Sequence, residues 1–137
     1  MGSEFTFYDY IDADGDEGNA IRSWLNGNGR EAKAYFTMII GHLEASPPPS
    51  AKDSVWKYPY TKLMKGEWKD FIELRKERRK VQYRLLGQMR GRSVFLVATA
   101  VHKAPHYDAD VSPQTARTRV TQMIVNPTRY RREHEYS

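Results

Sequence analysis

Apolar residues recur along this chain with two different periods, and the changes of period divide it into elements. Residues 6–11 alternate in the manner of a strand, with Phe7 and Ile11 on one face, until Asp12-Ala13-Asp14-Gly15 breaks the pattern. Asn19 can cap a short helix that carries Ile21, Trp24 and Leu25 at helical spacing, and Asn26-Gly27-Asn28-Gly29 ends it. A stronger helix is expected over residues 30–43, where Ala32, Tyr35, Phe36, Ile39, Ile40 and Leu43 form one stripe. The aromatics on that stripe read as core residues. Pro47-Pro48-Pro49 then stops the helix and opens a connecting loop that runs past Trp56 to Gly66.

Three runs between residues 68 and 103 have strand length and strand composition: 71–75, 81–86 and 94–103. A basic hairpin loop over 76–80 and the turn Arg90-Gly91-Arg92 join them, and such short connections favour antiparallel pairing. The third run is almost continuously apolar from Val94 to Val101, as expected of a buried central strand. Ser112 and Pro113 supply the cap and first turn of a last helix with Ala116, Val120, Met123 and Ile124 on its buried side, and Asn126-Pro127 ends it. The order β-α-α-β-β-β-α predicts an α+β fold. Two N-terminal helices and a C-terminal helix should pack on a mainly antiparallel four-stranded sheet. Residues 6–125 make one domain; residues 1–5 read as translated cloning sites, and 126–137 as a charged, mobile tail.

The chain has 137 residues and no cysteine, which excludes a disulfide framework, a thiolate metal site and a cysteine nucleophile. No apolar run approaches a membrane span and no basic-then-apolar leader opens the chain, so a cytoplasmic protein without membrane contact is expected. The net charge of +5 conceals a strong asymmetry. Residues 4–17 carry six acids and no base, whereas residues 75–92 carry eight bases against one acid. A focused positive surface of that kind favours a polyanionic partner such as nucleic acid.

Candidate chemistry lies on the three strands. Strand alternation puts Arg75 on the face of Glu73, and Arg84 on the face of Gln82 and Leu86. The two arginines can therefore share a sheet face and hold a phosphate. The same geometry lets Glu73 pair with Arg84 as an ordinary cross-strand ion pair, and the pattern leaves both readings open. His102 and Lys103 end the buried strand, where an imidazole can move a proton and an ammonium can neutralise developing charge. His106, Asp108 and Asp110 follow, but Pro105 interrupts the helical geometry that paired histidine ligands need, so neither a metal nor a cofactor is expected. There is no glycine-rich phosphate loop and no nucleophile elbow. The chemistry that remains is attack of an RNA 2′-hydroxyl on its own adjacent phosphate, leaving a cyclic phosphate end.

The succession Lys62-Leu63 with Gly66, Glu73-Leu74-Arg75, Tyr83-Arg84, an apolar strand ending in His102-Lys103, and a helix opened by Pro113 with Ala116 and Arg119 resembles the RelE/HigB toxins. Its closest likeness is to their phage-derived HigB-like branch, over roughly residues 7–124. The resemblance implies a RelE-like fold and a type II toxin of a toxin–antitoxin system. Such a toxin is an mRNA interferase, an endoribonuclease that forms a 2′,3′-cyclic phosphate on ribosome-bound mRNA. Its cognate antitoxin covers the basic face. By the same resemblance, Lys62 contacts RNA, Arg75 and Arg84 hold the scissile phosphate, and His102 and Lys103 stand where the family assists the leaving group. RNA or ribosome docking falls to Lys62, Lys65, Lys76, Arg78, Arg79 and Lys80. Phe71 and Glu73 replace the lysines of RelE, which leaves Glu73 and His102 as candidate general bases; Tyr107 and Tyr130 are candidates for a catalytic tyrosine. A ParE-like gyrase poison of the same fold and a non-catalytic basic RNA- or protein-binding module are the alternatives.

Overall fold

The computed structural model describes residues 4–15, 18–57, 59–103 and 109–135, and of Lys103 the backbone alone. The chain runs β1 (Thr6–Asp12), β2 (Gly18–Asn19), α1 (Ala20–Gly27), α2 (Arg30–Ala45) and β3 (Thr61–Leu63), then a 3-10 turn (Gly66–Trp68). It continues through β4 (Ile72–Arg78), β5 (Val81–Arg90), β6 (Ser93–Lys103), α3 (Pro113–Val125), α4 (Pro127–Tyr130) and β7 (Arg131–Glu133). The strands form one mixed sheet in the order β2-β1-β6-β5-β4-β3, with β7 also paired to β1. Among the described strands only the β1–β6 pair is parallel, with Thr6 opposite Ser93 and Asp9 opposite Leu96; α1, α2 and the β3–β4–β5 meander form the crossover that a parallel pair requires.

The caps sit where the sequence puts them. Asn19 accepts a hydrogen bond from the Arg22 N–H, and Ser112 accepts one from the Thr115 N–H ahead of Pro113. The helices cover both faces of the sheet. On one face Ile21 and Leu25 of α1, with Phe36, Ile39, Ile40 and Leu43 of α2, pack on Phe7, Leu74, Leu85, Val94 and Leu96. On the other, Ala116, Val120 and Met123 of α3 pack on Tyr10, Phe71, Leu86, Phe95, Val97 and Ala98. This is why β6 is apolar on both sides. Pairing jumps from Leu86–Ala98 to Gly87–Leu96, so Val97 is a bulge that shares the α3 side with its neighbour. A Cβ on Gly87 would lie 2.9 Å from the Phe95 carbonyl oxygen, so the strands can close at the bulge only around a glycine.

Three expectations are corrected. The sheet has seven described strands, not four: β2, β3 and β7 span two or three residues each, too short for a period-two signal. The basic loop over 76–80 shrinks to a two-residue turn. Lys76 and Arg78 lie in β4, Arg78 pairs with Val81, and Arg79 and Lys80 occupy left-handed backbone at φ 52° and 68°. Charge does not break this strand because α2 receives it, with Lys76 over the Tyr35 ring at 4.7 Å and Arg78 bonded to Glu31 at 2.8 Å.

The third correction concerns the tail. Residues 127–133 form α4 and β7, and β7 pairs with β1 through Tyr8–Glu133, Asp9–Arg132 and Tyr10–Arg131. Beyond it the buried His134 meets the buried Asp9 carboxylate at 2.8 Å, and Asn19 donates to the other Asp9 oxygen at 3.0 Å. Glu44 faces the same histidine, and burial pushes its carboxyl above the usual range. Arg129 and Tyr130 both donate to Asp14, which holds that carboxyl below its usual range. The acidic N-terminal segment is thus the electrostatic partner of the basic C-terminal one. Glu4 and Phe5, set aside with residues 1–3 as a cloning remnant, join the fold as well: Glu4 pairs with Arg92 and Phe5 is buried beside Trp56. No helix among the described residues is long and apolar enough to cross a membrane.

Two consequences can be measured. Replacing Arg79 and Lys80 with Asn-Gly should raise stability by about 1 kcal/mol in urea unfolding, because both residues leave a backbone region that disfavours side chains. His134→Ala should lower it by about 2 kcal/mol, the scale of a buried hydrogen bond to a charged group. The same variant should raise hydrogen exchange in β7.

Candidate active site

The α3 side of the sheet is apolar where the helix covers it and polar beyond. Phe71, just ahead of β4, lies under α3, while Glu73 and Arg75 follow at successive positions of the same face. On β5 the same alternation carries Leu86, Arg84 and Gln82, and on β6 it carries Ala98, Ala100 and His102. Register sets the rows: Lys62 opposes Glu73 and Glu73 opposes Leu86; Arg75 opposes Arg84 and Arg84 opposes Ala100; Gln82 opposes His102. Ala100 leaves the room that a guanidinium on this row needs.

Arg84 is the hub. Its Nη1 donates to Glu73 Oε1, and its Nε donates at 2.9 Å to His102 Nε2. Arg75 approaches the same Glu73 oxygen at 3.9 Å. Exposure falls from 25% at Arg75 to 13% at Arg84 and 3% at Glu73, so the carboxylate lies at the bottom with two guanidinium groups over it. Because His102 accepts through Nε2, its ring is neutral here and carries its proton on Nδ1. A carboxylate, a guanidinium and an imidazole therefore form one hydrogen-bonded chain across three adjacent strands.

This chain borders an open cleft of about 320 Å³, near the lower end of the size range of ligand sites. Glu73 and Arg84 form its floor; Lys62, Met64, Lys65 and Trp68 line it. The wall that carries Trp68 is held from behind. Trp68 packs edge-on against the buried Phe71 at 5.3 Å between ring centres, Arg117 of α3 lies over Phe71 at 5.7 Å, and Arg117 donates to the Glu67 carbonyl. A second cleft of about 270 Å³ adjoins the edge of β4, lined by Tyr35, Pro59, Arg75, Lys76, Glu77 and Gln82. Burial pushes the Tyr35 hydroxyl above its usual range.

The structure brings Glu73, Arg84, His102, Lys62 and Lys65 together. Arg75 is the register partner of Arg84 but lines the second cleft. Lys76 also lines the second cleft, Arg78 is engaged by Glu31, and Arg79 and Lys80 form the exposed hairpin tip. Lys103 ends β6 opposite Val81, out of register with the His102 row. Asp110 closes the edge of β6, where its Oδ1 accepts from the Thr99 N–H at 2.9 Å. His106, Asp108 and Tyr107 lie outside the described residues, and no group of three acidic or histidine side chains suited to a metal occurs among those described. Tyr130 stacks on Tyr10 and bonds Asp14, away from the Arg84 row. Trp68 and Met64 were not singled out from sequence. Their place in the cleft depends on a loop folding back on β4, through the Met64 N–H bond to the Phe71 carbonyl at 3.0 Å, and the sequence offers no local sign of it.

Comparison with protein-family models, curated proteins and solved structures finds no match to this chain.

The buried pair has its own energetic signature. Arg84→Ala should lower stability by about 3 kcal/mol, because it leaves Glu73 buried beneath the more distant Arg75 alone. Replacing Glu73 and Arg84 together with methionine should recover most of that loss, read as a double-mutant cycle in urea.

Proposed function

We propose that this chain is a metal-independent endoribonuclease of RelE-like fold, the toxin of a type II toxin–antitoxin pair that acts on ribosome-bound mRNA. One observation carries the reading: Arg84, which lines a cationic cleft together with Glu73, is bonded both to Glu73 and to His102 behind it. Lys62 and Lys65 line the same cleft and supply cations suited to the phosphates of that substrate. The order of the four longer strands, β4-β5-β6-β1 with β1 parallel to β6, supports the fold assignment.

The arrangement suits internal transesterification. A scissile phosphate that takes the Arg84 guanidinium releases the Glu73 carboxylate on the cleft side. Glu73 accepts the proton of the ribose 2′-hydroxyl as that oxygen forms a bond to phosphorus. The bond from phosphorus to the 5′-oxygen breaks on the opposite side. His102, protonated for this step, gives its proton to the leaving oxygen. Arg84, and Arg75 beside it, balance the charge that builds on the non-bridging oxygens. The products are a 2′,3′-cyclic phosphate and a 5′-hydroxyl. Arg79 and Lys80 at the hairpin tip are the exposed charges for ribosome or RNA docking, and a cognate antitoxin neutralises the toxin by covering the basic face.

The test is cleavage by the purified protein of ribosome-bound mRNA and of free single-stranded RNA, the latter in chelator, with the new ends identified chemically. Glu73→Gln and His102→Gln should each lower kcat by about 10² to 10⁴-fold. The pH–rate profile should be bell-shaped, with Glu73→Gln removing the acid limb and His102→Gln the alkaline one. Arg84→Lys keeps a cation over Glu73 and should still lose about 10²-fold or more. RNA that stays intact both on and off the ribosome, or cleavage that survives both single substitutions, refutes the assignment. DNA breaks on expression without RNA cleavage would point to a gyrase poison instead.

A further inference from the structure

Among the described residues Trp68 is the one large aromatic ring on the wall of the Arg84 cleft, and nothing in the proposed chemistry uses it. We infer that it is a stacking platform for a nucleobase, so that the cleft holds one unpaired base of single-stranded RNA beside the scissile phosphate. The inference rests on RNA binding at this cleft and not on cleavage.

The wall is built to hold a half-buried ring still. Gly66 takes the left-handed backbone at φ 66° that opens the 3-10 turn, and Asp70 takes another at φ 79° that closes the loop. Between them the backbone bonds itself through Trp68 N–H to Lys65 O at 3.3 Å, Lys69 N–H to Gly66 O at 3.1 Å and Phe71 N–H to Trp68 O at 3.0 Å. Phe71 holds the indole from the core side, at 78° between ring planes, and Arg117 anchors the loop to α3.

The chemistry of the cleft selects the ligand. Lys62, Lys65 and Arg84 exceed Glu73 by two positive charges, which suits a phosphodiester backbone. A flat aromatic surface next to those cations suits the face of a base, and every base has one, so the subsite favours unpaired bases over a duplex. An acidic peptide would satisfy the cations but leave the indole unused.

The test separates stacking from charge and from catalysis. The probe is an end-labelled single-stranded 2′-O-methyl oligoribonucleotide, which has no attacking hydroxyl and stays intact whether or not the protein is a nuclease. Trp68→Ala should weaken binding by about 5- to 150-fold, the range for one lost base stack, and leave the salt dependence unchanged. Trp68→Phe should fold alike and recover most of the affinity. Lys65→Gln should instead lower the salt slope by about one ion. One abasic position in the probe should weaken the parent protein as Trp68→Ala does, and have no further effect on that variant. Equal affinity of the parent and both Trp68 variants overturns the inference, as does a loss that Trp68→Phe fails to restore in a folded protein. Tight binding that depends on Trp68, together with no cleavage of ordinary RNA, would keep the base subsite and remove the nuclease.

Discussion

A guanidinium that is 13% exposed in the middle of a sheet is stable only if the surrounding structure supplies its counter-charge and its hydrogen bonds. Arg84 meets that condition on both sides, with Glu73 on β4 and His102 on β6. Much of the functional face follows from this. Register must bring three strands into line, Ala100 must stay small beside the arginine, and α3 must leave this part of the face uncovered. Helix length contributes to the last requirement. Thirteen residues of α3 extend about 20 Å, whereas the eleven residues of β6 extend roughly 36 Å, so the helix cannot cover the strand. Beneath the helix the face is core; past it, the same alternation delivers cations, a carboxylate and an imidazole.

Charge is arranged around this face at two scales. Most of the described acids near the N-terminus have partners of their own. Several are taken up locally, with Asp9 on His134, Asp14 on Arg129 and Tyr130, and Glu4 on Arg92. Lys62, Lys65, Arg79 and Lys80 are left to set the field over the cleft and hairpin tip. The conspicuous basic run is therefore not one surface. Two of its members brace α2, and two cap the hairpin.

The legible parts of the fold were those with a local cause. Period-two alternation placed Glu73, Arg75, Gln82 and Arg84 on one face, and the observed register agrees. Asn19 and Ser112 announced their helices, and the apolar run from Val94 announced the central strand. The cross-strand pairing of Glu73 with Arg84, one of two readings that alternation allowed, is present, and the same pair still borders an open cleft. The two readings are compatible because the ion pair holds Arg84 in place at the cleft floor.

By itself, then, the sequence determined the three longer helices, the long strands and which residues share a face, because those depend on intervals of two to four residues. Tertiary structure decided the rest. It paired β1 in parallel with β6, recruited residues 131–133 as an edge strand, and bulged β6 at Val97. It also folded the Met64–Phe71 loop so that Trp68 faces the Arg84 cleft. Backbone hydrogen bonds between distant strands carry no record of side-chain identity, so short edge strands and loop returns leave no periodic trace. Arg84 could be placed on its strand from the sequence; the imidazole and carboxylate it joins, and the indole beside it, were set by neighbours brought in from elsewhere in the chain.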